Sequence, residues 1–141
     1  LSIMLDIVNH NPIEIMHMLS AMFFSIVFFQ SSIDKILDRN GNIEFFKEHF
    51  KTTPLSKILS PALSILTILE FIAAGICMYG LFYSLIYNNT DFIFYGLVAS
   101  SIVLLMLLFG QRIAKDYVGA ADITIYFILC VITIMSYNIK G

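Results

Sequence analysis

At 141 residues, 59% of them apolar and only 13% charged, with a mean hydropathy of +0.88, the chain is too apolar for a domain dispersed in water and calls for lipid as its solvent. A net charge of −2 and a pI near 5.8 offer no basic patch of the kind that holds nucleic acid, so nucleic acid is excluded as an expected partner. The cysteines, Cys77 and Cys130, sit inside apolar runs without a CxxC pair, which excludes a disulfide framework and a zinc site.

A single membrane domain over 1–141 is expected, with the bilayer as its first partner. Residues 1–12 mix Asp6, Asn9, His10, Asn11 and Pro12 into a weakly apolar stretch that does not read as a cleavable signal peptide. Four segments, at 13–33, 58–87, 92–110 and 119–137, approach or exceed the ~20 mostly apolar residues that a helix needs to cross the hydrocarbon core. Runs of this length with little alternation fit helices, since backbone groups in lipid must be paired within the segment. The expected fold is all-α, a four-transmembrane-helix bundle with an amphipathic interfacial segment between helices 1 and 2.

The connection 34–57 carries Asp34, Lys35, Asp38 and Arg39, a turn signal at Asn40-Gly41-Asn42, and then Ile43, Phe46 and Phe50 at helical spacing. Its other face holds Glu44, Lys47, Glu48 and Lys51, the pattern of a helix lying on a membrane, and Thr52-Thr53-Pro54 stops it before the second span. Asn88 to Asp91 separate spans two and three, and the polar run Gln111 to Tyr117 joins spans three and four. Loops 34–57 and 111–117 hold Lys35, Arg39, Lys47, Lys51, Lys57, Arg112 and Lys115 against Lys140 on the other side, so both loops are expected in the cytoplasm and both termini outside. Tyr79, Phe82, Tyr83, Tyr87, Phe92, Phe94 and Tyr95 mark the outer interface.

Each span has a small or polar stripe at about 100° per residue: His17, Ser20, Ser31 and Lys35; Glu70, Ala74, Cys77 and Ser84; Gly96, Ser100, Val103 and Gln111; Asp122, Tyr126, Cys130, Thr133 and Tyr137. Such stripes let helices approach closely in lipid. His17 lacks a second intramembrane histidine for a haem pair, and Cys77 and Cys130 fall at different depths, which favours inert packing. Glu70 lies about 18 Å along its helix from Ile58, near mid-membrane, where a carboxylate must be paired, protonated or solvated. Its candidate partners are Arg112, Lys115, Lys35 and Tyr126; Asp122, one turn inside the fourth span, is a further polar candidate or a cap beside Gly119. Together they form a candidate buried polar or ligand site, and no metal site is expected.

Three stretches resemble the DoxX family of small four-span membrane proteins. Phe28-Phe29-Gln30-Ser31-Ser32-Ile33-Asp34-Lys35 is similar to its F-x-x-[GS]-x-x-K element, and Ile68-Leu69-Glu70, followed by Gly75 and Gly80, to its glutamate early in span two. Phe109 to Ala121, with Gly110-Gln111-Arg112 and Lys115-Asp116-Tyr117, resembles the version found in flavobacterial members. The resemblance implies a multi-pass protein of the bacterial inner membrane, acting as a subunit of a respiratory or quinone-linked oxidoreductase complex, with thiosulfate:quinone oxidoreductase among the family's associations. No flavin, nucleotide or cysteine motif is present in the chain, so redox groups are expected on partner subunits, with quinone or lipid as this chain's ligand. The alternative is a structural or assembly subunit without chemistry of its own.

The excess of basic residues on one side sets an orientation that labelling can check. A membrane-impermeant thiol reagent applied to intact cells should modify Asn89→Cys and reach Asn42→Cys only after permeabilisation; the reverse pattern inverts the topology.

Overall fold

The computed structural model describes residues 11–138 of the chain. Helix α1 (Pro12–Leu37) begins at Asn11, whose side-chain oxygen accepts from the Glu14 N–H at 2.9 Å, with Pro12 in the first turn where its missing N–H costs nothing. It continues four residues past the expected end at 33, taking Asp34 and Lys35 into its last turns. The continuation is favoured because Lys35, 9% exposed, turns inward to a carboxylate on the next long helix, so its charge does not need a solvated loop.

The Asn40-Gly41-Asn42 turn signal is overridden. Helix α2 (Arg39–Phe50) starts directly after a break at Asp38 (φ −121°, ψ 52°). Asn42 ties the two helices across this break: its amide Nδ2 donates to the carbonyls of Asp38 (2.7 Å) and Asp34 (3.3 Å), adding to the backbone N–H bonds those carbonyls already accept. Within α2, Ile43 and Phe46 are half-buried, Phe50 is buried, and Glu44, Lys47 and Glu48 are exposed. Thr53 closes the helix, its hydroxyl donating to the Phe50 carbonyl at 2.8 Å, and a 3-10 turn (Pro54–Ile58) leads into α3 (Leu59–Tyr87).

Asn88 caps α3 in the left-handed region (φ 54°), a conformation that asparagine tolerates better than bulkier residues, and its N–H donates to the Ser84 carbonyl. Helix α4 (Asp91–Ile113) follows, then α5 (Tyr117–Met135), which ends in a 3-10 turn (Ser136–Asn138). Asp116 caps α5 by accepting from the Gly119 N–H at 3.0 Å, the role the sequence had offered to Asp122.

Among the described residues all regular structure is helical, and four helical segments are long and apolar enough to cross a membrane: Pro12–Leu37, Ser56–Tyr87, Asp91–Ile113 and Tyr117–Asn138. This is a multi-pass, all-α membrane protein. Helix α3 packs against α1 on one side and α4 on the other, α5 packs on α4, and α1 meets α5 more lightly. The core runs through Phe24, Phe28, Ala73, Ala74, Cys77, Ile93, Leu97 and Leu104. Large side chains such as Ile26, Ile65, Ile72, Ile128 and Ile132 point outward, where lipid rather than water solvates them.

The α3–α4 contact depends on two glycines. A Cβ on Gly96 would lie 3.0 Å from the backbone N and Cα of Cys77, and one on Gly80 would lie 2.9 Å from the backbone N of Ile93. Backbone atoms cannot step aside as a side chain can, so any larger residue here parts the helices. Gly75, by contrast, has open space around it. Gly96→Ala should therefore cost about 1–3 kcal/mol through overpacking, whereas Gly75→Ala should be neutral or mildly stabilising, as read from thermal unfolding in detergent.

Candidate functional site

Glu70 is completely buried on α3 and is met by the last turns of α1. Lys35 Nζ donates to Glu70 Oε1 at 3.1 Å and to Oε2 at 3.0 Å, and also to Ser31 Oγ at 2.6 Å. Ser31, one helical turn before Lys35, donates in turn to Glu70 Oε1 at 3.3 Å. The three side chains form a closed network in which the ammonium meets the serine hydroxyl and both carboxylate oxygens. Such closure is what a charge pair needs where water is excluded, since desolvation otherwise outweighs the attraction. Ser31 was legible as a stripe member four residues from Lys35, but its part as the third member of the network was not.

The remaining candidates do not join this network. Arg112 is exposed, with its guanidinium 4.9 Å from the centre of the Tyr117 ring. Lys115 is exposed in the α4–α5 connection with a left-handed backbone (φ 60°), which directs the chain into α5 rather than toward Glu70. Tyr126 is half-buried and packs edge-on against Phe23 of α1 at 5.6 Å, and Asp122 is exposed on the outer side of α5. Arg112, Lys115, Tyr126 and Asp122 therefore fall away as Glu70 partners: the carboxylate is met by Lys35 and Ser31, and none of the four touches it.

Beside the ion pair lies an elongated cavity of about 520 Å³. Its walls are Lys35 from α1, Phe46 and Phe50 from α2, Leu59 to Leu66 from α3, and Ile102 to Gln111 from α4. Lys35 and Gln111 are its polar residues. The size falls within the roughly 300–1,000 Å³ typical of small-ligand sites. Phe46 and Phe50 of α2, read from the sequence as resting on lipid, line this space, while Phe45 is exposed.

A second polar cluster, at the opposite end of the bundle, was missed by sequence reasoning. His17 shares hydrogen bonds with Thr90 Oγ1 through Nδ1 and with Ser136 Oγ through Nε2, each at 2.8 Å, and its ring stacks on Tyr137 at 3.7 Å. Tyr137 donates to the Thr90 carbonyl at 2.6 Å, and Ser20 and Thr133 pair at 2.9 Å. Both ring nitrogens of His17 are occupied, so the cluster closes the α1–α5 seam rather than presenting a ligand. Cys77 and Cys130 are free and buried; Cys130 donates to the Leu97 carbonyl at 3.1 Å, and Cys77 Sγ lies 3.6 Å from Ser100 Oγ.

No protein-family model, curated protein or solved structure matches the chain. The resemblance to the DoxX family stands on the stretches quoted above alone.

The network makes a definite prediction about stability. Lys35→Met or Glu70→Leu alone should cost about 3–5 kcal/mol by stranding a buried charge, and the double replacement should recover most of it. Arg112→Gln and Lys115→Gln should stay within about 0.5 kcal/mol of the parent in the same unfolding measurement.

Proposed function

We propose that this protein is a DoxX-type membrane subunit of a larger respiratory or quinone-linked oxidoreductase assembly, holding a quinone or lipid in the cavity beside Lys35. The observation that carries this reading is the apolar cavity itself, about 520 Å³ and enclosed by four helices at the Lys35–Glu70 end of the bundle. A cleft of this kind suits an apolar ligand of the bilayer. The basic residues of 34–57 and 111–117 support placing that end at the cytoplasmic face of a bacterial inner membrane, with α2 at the boundary and Lys47 and Lys51 toward the headgroups. Redox groups belong to the partner subunits in this reading, and this chain contributes the bilayer-embedded binding surface.

One observation favours the second reading, a structural or assembly subunit without chemistry of its own. The Lys35–Glu70–Ser31 network is closed and Glu70 has no exposed surface, which is the arrangement of a helix-pairing device. Glu70 is therefore assigned to holding α1 against α3 in either case.

Mild detergent extraction from native membranes followed by native mass spectrometry tests the proposal. The expected result is co-extraction with further membrane subunits and retention of a quinone or lipid by this chain. Recovery within a large assembly but without any bound amphiphile would favour the structural reading, and recovery of the chain alone and empty would overturn both.

A further inference from the structure

We infer that the cavity takes the hydrocarbon tail of its ligand, an acyl or isoprenoid chain, and leaves the polar head outside at the α2 end. The inference rests on the reading above that the cavity holds a membrane amphiphile, and it names which part of that amphiphile enters.

Its first support is shape. Helices α3 and α4 are antiparallel, so Leu59 and Gln111 lie at the α2 end of the cavity and Leu66 and Ile102 at the far end. Seven residues of α3 and nine of α4 separate these ends, a length of roughly 10–13 Å along the helix axes at 1.5 Å per residue. The space is thus drawn out parallel to the direction in which lipid chains run.

The second support is the state of its polar groups. A quinone or phosphate head entering the cavity needs hydrogen-bond donors, and among the described residues Lys35 is the cation in the wall. Its ammonium is already held by Ser31 at 2.6 Å and by the two Glu70 oxygens at 3.1 and 3.0 Å. Recruiting it would strip the fully buried Glu70 carboxylate of its counter-charge. Gln111 adds one neutral amide, its Oε1 buried without a hydrogen-bond partner and its Nε2 a single uncharged donor group, which does not replace the hydration of a quinone or phosphate head. A methylene or isoprenoid chain asks nothing of either residue. Outside, the exposed Lys47, Lys57 and Arg112 stand within two residues of Phe46, Leu59 and Gln111 in the wall, so a polar or anionic head left at this end meets cations and solvent.

Two ligand pairs test the inference on the purified full chain in a steroid-based detergent that carries no alkyl tail. One pair is a decyl-quinone and the same benzoquinone without its chain; the other is phosphatidylglycerol and its deacylated headgroup. The chain-bearing member of at least one pair should bind ten-fold or more tighter than its tail-less counterpart, read by thermal shift and by native mass spectrometry; which pair responds identifies the source of the chain. Ala62→Phe, which fills the cavity from α3, should weaken that binding at least ten-fold. A photoreactive group at the tail end should crosslink to Leu66 or Ile102, and one on the head to α2 or Arg112; this measurement needs no variant to fold. Equal binding of a tail-less ligand, or the reversed crosslinks, would overturn the tail assignment while leaving an occupied cavity. Absence of binding by all four probes, unaltered by Ala62→Phe, would instead overturn the cavity reading on which it rests.

Discussion

A carboxylate with no exposed surface, set in the middle of a membrane helix, constrains everything around it. Glu70 cannot be hydrated, so a cation must be brought to it, and the structure supplies Lys35 from the last turns of α1. That requirement keeps α1 helical through Leu37, since Ser31 and Lys35 reach the carboxylate together only one helical turn apart. It also fixes how α1 lies along α3. Apolar side chains slide against each other in lipid at little cost, whereas a hydrogen-bonded charge pair has one good position. Ser25 donating to the Ala74 carbonyl keeps the same α1–α3 register, and Arg39, the first residue of α2, ties that helix to α3 by donating to Ser64 Oγ at 2.7 Å.

The other seams are held by different means, each suited to a medium without a hydrophobic drive. Between α3 and α4 the backbones nearly touch at Gly80 and Gly96, so dispersion contacts over a close interface do the work. Between α4 and α5 the Cys130 thiol reaches the Leu97 carbonyl. Between α1 and α5, where contact is lightest, His17, Ser20, Thr133, Ser136 and Tyr137 supply a hydrogen-bonded closure together with Thr90 from the α3–α4 loop. The bundle is therefore pinned at both ends by polar groups and packed by small residues between them.

This division bears on function. The most conspicuous charged pair in the bundle is paired through both carboxylate oxygens and completely buried on its carboxylate side, which makes it a fastener. The space that a ligand can use lies next to it and is apolar. A site of that kind is suited to bind and position an apolar group.

Much of the fold was legible in the amino-acid sequence. Apolar runs of about twenty residues leave the backbone no option in lipid but the helix, which settles an all-α protein with four spans. Helical periodicity also identified inward-facing residues: His17, Ser20, Glu70, Cys77, Ser100, Cys130 and Thr133 are all buried. Hydropathy could not see that Lys35 belongs to a helix, because it scores the charge and not the partner that neutralises it. Nor could the turn signal at Asn40-Gly41-Asn42 anticipate that Asn42 would reach back with its amide to the Asp34 and Asp38 carbonyls and join two helices. Which residue meets Glu70, that Phe46 and Phe50 line a cavity, and that His17 ties α1 to α5 all depend on the rotation and height of separate helices relative to one another. Periodicity within one helix carries no information about its neighbour's phase, and only packing them together decided it.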